Sequence, residues 1–285
     1  MAIDTSDFTF QGIGFVDTVG IPGCTDSTAT NYDANATIND GSCIAGTGLF
    51  TFIPDYNFRA ELHPSYSVSD WYDTDGGEIV GVVAGKWCLT SDINTVTNLD
   101  VDSLNIADLT GIEDFTALTY LYCYYNQLTS LDLSANLALT YLYCFSNQLT
   151  SLDLSQNIAL TQLYFANNQL TSLDVSNNTA LTNLYCNNNQ LTSLDVSTNT
   201  ALTVLACRNN QLITLDVSDN TVLDTLECND NNLTSLDVRN GNNTAFTNFI
   251  STSNPNLYCI SVDDPVYSAA NWTNIDAQHY FAANC

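Results

Sequence analysis

The chain has 285 residues, 45% hydrophobic and 11% aromatic, which is too apolar for a disordered segment and long enough to bury a core in one or two domains. Four Lys and Arg stand against 31 Asp and Glu, a formal net charge of -27, and Asp supplies nearly all of it. Such a surface repels phosphate backbones and anionic lipid, which excludes nucleic acid as a partner and a polybasic membrane attachment. No run of about 18 apolar residues is present to span a bilayer as a helix.

Residues 1–21 read as a polar, unpatterned N-terminal arm. Met1 to Phe8 has neither a basic nor an apolar region, so no signal peptide is expected. Residues 22–47 read as a small separate module. Asp26, Asn31, Asp33, Asn35 and Asp40 supply oxygen donors of the kind Ca2+ takes, but the twelfth-position Glu and regular alternation of an EF-hand are missing. Two readings stay open, a Ca2+ site or an Asx-rich turn cluster. The order Cys24-x-Asp26, Asn31-Tyr32 and Asp40-Gly-Ser-Cys43 resembles disulfide-closed modules of bacterial surface proteins and is similar to the calcium-binding thrombospondin type 3 repeats.

Residues 48–95 read as an N-terminal cap. Asp55 is a good N-cap for a short helix over Asn57 to Leu62, stopped by Pro64. Phe52, Phe58, Trp71 and Trp87 can cover the open apolar end of a following array, and Cys88 is expected to be buried and unpaired. The stretch from His63 to Lys86 is irregular and reads as cap decoration, with an interaction loop as the alternative.

Residues 96–256 are a repeat array, and this pattern dominates the sequence. From Leu118 the text recurs every 21 residues, restarting at Leu139, Leu160, Leu181, Leu202 and Leu223. A leading copy of 22 residues places Val96, Leu99, Val101, Ile106 and Leu109 in the apolar slots, and a degenerate trailing copy uses Phe246, Phe249, Ser251, Asn254 and Leu257. About eight coils result, more than the roughly three an array needs for stability. Leu121-x-Cys123 alternates with period two and predicts a short strand with both side chains inward. Asn126, Asn147, Asn168, Asn189, Asn210 and Asn231 form one ladder, where a buried amide can serve backbone groups that a turn would orphan. Leu131-Asp132-Leu133 repeats the alternation, and Asn136, Asn157, Asn178, Asn199 and Asn220 form a second ladder. Twenty-one residues leave little room for a helix opposite the main sheet, so tight turns are expected there. The segment near Asn240 to Thr244 and the one from Ile44 to Gly48 read as flexible points.

The pattern resembles leucine-rich repeats, specifically the nested 21-residue bacterial class found in internalin-type adhesins, where a column of buried cysteines takes an apolar strand position. Cys123, Cys144, Cys186, Cys207 and Cys228 fill that column, with Phe165 replacing one member. The fold class implied is a repeat solenoid of short parallel β-strands and turns with little helix, capped at both ends. Parallel Cβ vectors on neighbouring coils keep the column from forming disulfides, and ligands in a single file make no tetrahedral metal site. Cys24 with Cys43, and Cys259 with Cys285, lie outside it in loop-rich segments and look like two disulfides, which suggest an oxidising compartment. Residues 257–285 form the C-terminal cap, with Trp272, Tyr280 and the Cys259–Cys285 loop closing the last coil.

Chemistry is scarce in this sequence. His63 and His279 are the two histidines, one in each cap, and neither sits near a nucleophile motif. The column Asp132, Asp153, Asp174, Asp195, Asp216, Asp237 repeats one environment, whereas a glycosidase needs two unlike carboxyls across a cleft. It reads as a solvated face, with cation trapping between carboxylates as the sharper alternative. No enzyme activity and no required cofactor are expected; Ca2+ in the N-terminal module is the one cofactor reading. What varies between coils is the outward strand positions. Tyr120, Tyr122, Tyr124, Tyr141, Tyr143, Phe145, Tyr164 and Tyr185 crowd the first coils, with Tyr125 adding one more, and the surface turns polar toward the C-terminal half. Exposed Tyr is the type that interfaces favour; a pleated surface that merely tolerates Tyr is the alternative. The leading expectation is an extracellular or surface-exposed adhesion module that binds a protein or glycan on its concave face. The alternative is a structural or decorating protein on a virion or cell-surface assembly.

Overall fold

A computed structural model describes residues 22–23, 34–35, 38–39, 50–66, 68, 71–72, 78–79 and 86–285. The chain divides into two compact units. In the first, β1 (Pro22–Gly23) and β2 (Ile38–Asn39) pair in parallel, and Ala34 and Asn35 form an exposed turn. The expected arm, the Cys24–Cys43 bridge, the donors Asp26, Asn31, Asp33 and Asp40, and the flexible point from Ile44 to Gly48 lie outside the described residues.

The second unit opens with β3 (Phe50–Phe52), α1 (Tyr56–Ser65), β4 (Trp71–Tyr72), β5 (Glu78–Ile79), β6 (Trp87–Leu89) and α2 (Thr90–Ile93). The four strands form an antiparallel sheet in the order β3-β6-β4-β5. Asp55 caps α1, with Oδ1 accepting from the Asn57 and Phe58 amides at 2.8 and 3.1 Å. Its Oδ2 accepts from the Ala107 amide at 2.9 Å, so one carboxylate ties the cap helix to the first coil. The helix does not stop before Pro64 but runs to Ser65, since proline's fixed φ is itself helical and a last-turn position loses only one helical hydrogen bond. Phe58 is fully buried and stacks on Phe115 at 6.0 Å. Phe52 and Trp87 pack on each other at 4.8 Å and stay half-buried. Cys88 is buried and not disulfide-bonded, and burial pushes its thiol up to about 12. Gly111 (φ 102) joins the cap to the array; a Cβ there would lie 2.7 Å from Ile53 and 2.8 Å from the Phe52 carbonyl, so no side chain fits.

The array continues with β7 (Asn98–Asp100), β8 (Tyr120–Tyr122), β9 (Tyr141–Tyr143), β10 (Gln162–Tyr164), β11 (Asn183–Tyr185), β12 (Val204–Ala206), β13 (Thr214–Asp216), β14 (Thr225–Glu227), β15 (Ser235–Asp237), β16 (Asn248–Ile250), β17 (Cys259–Ser261) and β18 (Tyr280–Ala282). Strands β7 to β12, β14 and β16 form one eight-stranded parallel sheet, in register so that Leu99, Leu121, Leu142, Leu163, Leu184, Leu205, Leu226 and Phe249 stack inward. The architecture is a parallel-strand leucine-rich-repeat solenoid with little helix, its opposite side made of tight turns. One residue per coil sits in the left-handed region just before the first Asn ladder, among them Tyr125, Ser146, Asn167, Asn188, Asn209 and Asp230.

Both Asn ladders are buried and serve backbone. Asn147 Oδ1 accepts from the Leu128 amide at 3.0 Å, and its Nδ2 donates to the Cys123 and Cys144 carbonyls at 2.9 and 3.1 Å. Asn157 Nδ2 donates to the Leu133 and Asn136 carbonyls at 3.0 and 3.1 Å. The second alternation behaves unevenly. Strands form from it in the C-terminal coils, where β13, β15, β17 and β18 make a four-stranded parallel sheet. At Leu131–Leu133 and Leu152–Leu154 no strand forms, and clefts of about 440 and 290 Å³ part successive Ser-Leu-Asp segments.

At the C-terminal end, Trp272 packs on Phe249 at 4.2 Å and on Phe281 at 5.6 Å. Tyr280 does not close the coil: it is 57% exposed, because strand alternation turns Phe281 inward instead. Cys259 and Cys285 are disulfide-bonded. The segment near Asn240 to Thr244 is anchored rather than loose, with Asn240 Nδ2 on the Asn220 carbonyl at 3.0 Å and Asn243 Oδ1 accepting from the Asp263 amide at 2.7 Å. Helix α3 (Pro265–Asn271) follows, capped by Asp264.

Candidate recognition face

Strand register builds the aromatic face. Residues 21 apart in sequence stand opposite each other on adjacent strands, Tyr120 with Tyr141 and Tyr122 with Tyr143. Side chains at such positions lie about 5 Å apart, so rings of adjacent coils stack along the array. Tyr120 and Tyr141 are 4.5 Å apart and nearly parallel. Tyr122, Tyr143, Tyr164 and Tyr185 make one continuous file, with centroid distances of 5.0, 4.3 and 4.3 Å. Tyr124 stacks on Phe145 at 4.5 Å. All eight side chains expected from the sequence lie on one face, half-buried, and the structure brings them together in three files.

Stacking decides what this face can offer. The ring faces inside the files are covered by their neighbours, so ring edges and hydroxyls point outward. Tyr143 donates its hydroxyl to Gln162 Oε1 at 2.8 Å. Burial raises the phenol pKa of Tyr143 and of Tyr164, which keeps both protonated as donors. Beyond Tyr185 the long file ends on Ala206, and the remaining coils present Arg208 paired with Glu227 at 3.7 Å and Asn248 donating to Glu227 at 3.0 Å.

The Asp column faces elsewhere, and each member has a local task. Asp132, Asp153, Asp174, Asp195 and Asp216 accept through Oδ1 from the amide two residues on at 2.9 to 3.0 Å. That bond, with the neighbouring Ser hydroxyl, holds Asp132, Asp153, Asp174 and Asp195 below the ordinary carboxylate range. Among the described residues no group of three or more His, Cys, Asp or Glu could hold a metal ion, and Asn35 is the one described member of the expected Ca2+ set. The carboxylates that border the aromatic face, Asp100 and Asp102, were not legible as part of it, because the leading repeat has 22 residues and its outward positions carry no aromatic.

The chain is similar to several known proteins. The family described as Leucine Rich repeats (2 copies) matches residues 158–199. Internalin J of Listeria monocytogenes serotype 4b (strain F2365) is 47% identical over 75 residues, 25% of this chain and 8% of that protein's length. Among solved structures, the functional domain of InlJ from Listeria monocytogenes, which includes a cysteine ladder, is 26% identical over 82% of this chain and 61% of its own, at a TM-score of 0.40. Internalin C2 of L. monocytogenes strain 4b F2365 is 20% identical over 81% of this chain and 95% of its own, at a TM-score of 0.56. The plant peptide hormone receptor RGFR1 in complex with RGF2 is 18% identical over 67% of this chain and 37% of its own, at 0.52. Residues 158–199 of this chain match leucine-rich repeats, and the likeness to internalin C2 shows a shared fold.

Proposed function

We propose that this chain is a non-enzymatic surface-recognition module that binds a protein partner through the aromatic face of its main sheet. The observation that carries the reading is the file from Tyr122 to Tyr185, flanked by Tyr120, Tyr141, Tyr124 and Phe145, which stops at one coil although the fold continues. A pleated surface that only tolerated Tyr would have no reason to confine it. The files favour protein over glycan, since a sugar stacks on an open ring face and those faces are occupied by neighbouring rings. Edges and hydroxyls suit the hydrogen-bonding groups of a polypeptide. An extracellular or surface location is supported by the Cys259–Cys285 disulfide and by the partial likeness to internalin J.

Binding of fluorescently labelled protein to a panel of bacterial and animal cells tests this. Tyr143→Ala, in the middle of the long file, should weaken binding by about 2 kcal/mol, as a central hot spot does, with the circular dichroism spectrum unchanged. Asn229→Ala, on the polar half, should bind as the parent does. If Tyr143→Ala also binds as the parent does, the face is a tolerant strand surface and the proposal fails.

A further inference from the structure

Two of the three aromatic files end on different chemistry at their two ends. The Tyr120–Tyr141 file lies between Asn98 and Gln162, whereas the Tyr122 and Tyr124 files meet Ala206 and Ala166 toward the C-terminus and carboxylates toward the N-terminus. Asp100 stands in register with Tyr122. Asp102 precedes Ser103, whose amide donates to the Tyr124 carbonyl at 3.0 Å, which places Asp102 beside Tyr124. Asp100 is exposed and Asp102 half-buried, and the Asp102 amide lies 3.4 Å from Asp100 Oδ1. Burial, and then the adjoining Asp102, raise the pKa of Asp100. The Tyr124 phenol is likewise raised, first by burial and then by the Asp102 carboxylate. Two like charges thus sit together, and the three arginines are engaged elsewhere. Arg59 donates to the Ile53 and Pro54 carbonyls, Arg208 pairs with Glu227, and Arg239 pairs with Asp237.

Against these carboxylates stands an aromatic corner. Tyr125 is 59% exposed, 5.7 Å from Tyr124 at 73° and 5.3 Å from Phe145 at 80°. Its ring makes a wall perpendicular to the Tyr124–Phe145 stack. Tyr125 also holds a left-handed backbone at φ 51, where other coils place the small residues Ser103, Ser146 and Ser253 or Asn167, Asn188, Asn209 and Asp230, Asn and Asp being the types that accept this region with least strain. Of these equivalent positions, 125 is the one that carries an aromatic, in the coil where an aromatic completes the corner.

Ring faces attract cations, and a half-open corner also accommodates an apolar stem. A planar guanidinium can lie on a ring and take a carboxylate through paired N–H groups. We infer that the corner of Tyr124, Tyr125 and Phe145, edged by Asp100 and Asp102, receives an arginine side chain of the partner protein. This rests on the recognition-face reading above and names the partner's chemistry at one rim of that face.

The test uses the full chain and the peptide Ac-Gly-Arg-Gly-NH2, followed by NMR of labelled Tyr and Phe rings, with the citrulline peptide as the uncharged isostere. The arginine peptide should shift Tyr124, Tyr125 and Phe145. Tyr125→Asn and Asp102→Asn should each weaken it about threefold or more, and the citrulline peptide should bind more weakly than either loss. Asn suits the left-handed backbone, so Tyr125→Asn should melt no lower than the parent, and lost binding there cannot be lost folding. Asp153→Asn, an equal change of charge on the Asp column, should bind as the parent does. Equal arginine affinity in the parent, Tyr125→Asn and Asp102→Asn overturns the inference, and so does an equal weakening by Asp153→Asn, which would mean diffuse attraction to an acidic surface. Cell binding separates this from the wider reading. If Tyr143→Ala weakens cell binding while Tyr125→Asn leaves the peptide bound, the face stands and the corner falls. If the peptide needs Tyr125 while cells ignore Tyr143, the corner stands and the face falls.

Discussion

Cys123 and Cys186 fill the same slot three coils apart, and both are fully buried, yet their surroundings differ by one hydrogen bond. The Cys186 thiol can donate to the Ala206 carbonyl at 3.4 Å, while among the described residues Cys123 has no such acceptor. Burial pushes both thiols well above their ordinary pKa, so the column stays protonated and acts as a file of small hydrophobes rather than as nucleophiles or metal ligands. In the trailing coil Ser251 takes the slot, with its hydroxyl 3.5 Å from His279 Nδ1; the position accepts a hydroxyl where a partner exists. Cys123→Ser should therefore destabilise the protein by roughly 1–3 kcal/mol, the cost of a buried hydroxyl without a partner. Cys186→Ser should lose measurably less, because the Ala206 carbonyl remains in reach. Urea unfolding of the two variants checks this, and equal losses would mean that the thiol contact carries no energy.

At the scale of one coil, the two Asn ladders look alike in sequence and differ in how many bonds they make. Asn147 uses both ends of its amide, whereas Asn157 donates twice and its Oδ1 is buried with no partner among the described residues. Removing Asn147 orphans the Leu128 amide and leaves the Cys123 and Cys144 carbonyls with Asn126 and Asn168 as their remaining amide donors, so Asn147→Ala should cost about 1–3 kcal/mol. Asn157→Ala also removes an oxygen that was itself unsatisfied, and should cost less; the reverse order in thermal or chemical unfolding would overturn this account. The inward Leu, Cys and Asn positions were legible in the sequence because a 21-residue period repeats their environment, and so were the eight outward aromatics. Beyond the Asp100 and Asp102 border, three further features were not legible, each for a physical reason. Pro64 sits inside α1, since a breaker is tolerated in a last turn. The second alternation forms strands only in the C-terminal coils, since Leu131-Asp132-Leu133 and Leu215-Asp216-Val217 differ little as text but adjacent coils pair only where they close up. The stacking of the Tyr files emerges only when register places ring over ring, and it is what turns the face from open aromatic surface into edges and hydroxyls.

For the whole array, stability is close to a sum of coil energies and nearest-neighbour interfaces, so its two ends matter out of proportion to their size. The N-terminal end is sealed by burial: Phe58 lies on Phe115, and Gly111 permits the cap backbone to approach. The C-terminal end is sealed by Trp272 on Phe249, but the last strand, β18, is exposed or half-buried along its length. What holds β18 is its pairing with β17 and the disulfide from Cys259 to Cys285, a separation of 26 residues. Closing a loop of that size removes unfolded-state entropy worth about 3.5 kcal/mol, and in a quasi-linear array that loss acts locally first. Reduction with dithiothreitol should therefore strip hydrogen-exchange protection from Tyr280–Ala282 and then from Cys259–Ser261. Protection in β9 to β12, six or more strands from the end, should stay at its oxidised level. The thermal midpoint should fall less than a loss of about 3.5 kcal/mol from one cooperative block would give. If reduction lowers protection evenly from β8 to β18, the array unfolds as a single unit, and the disulfide stabilises all of it rather than its last coil.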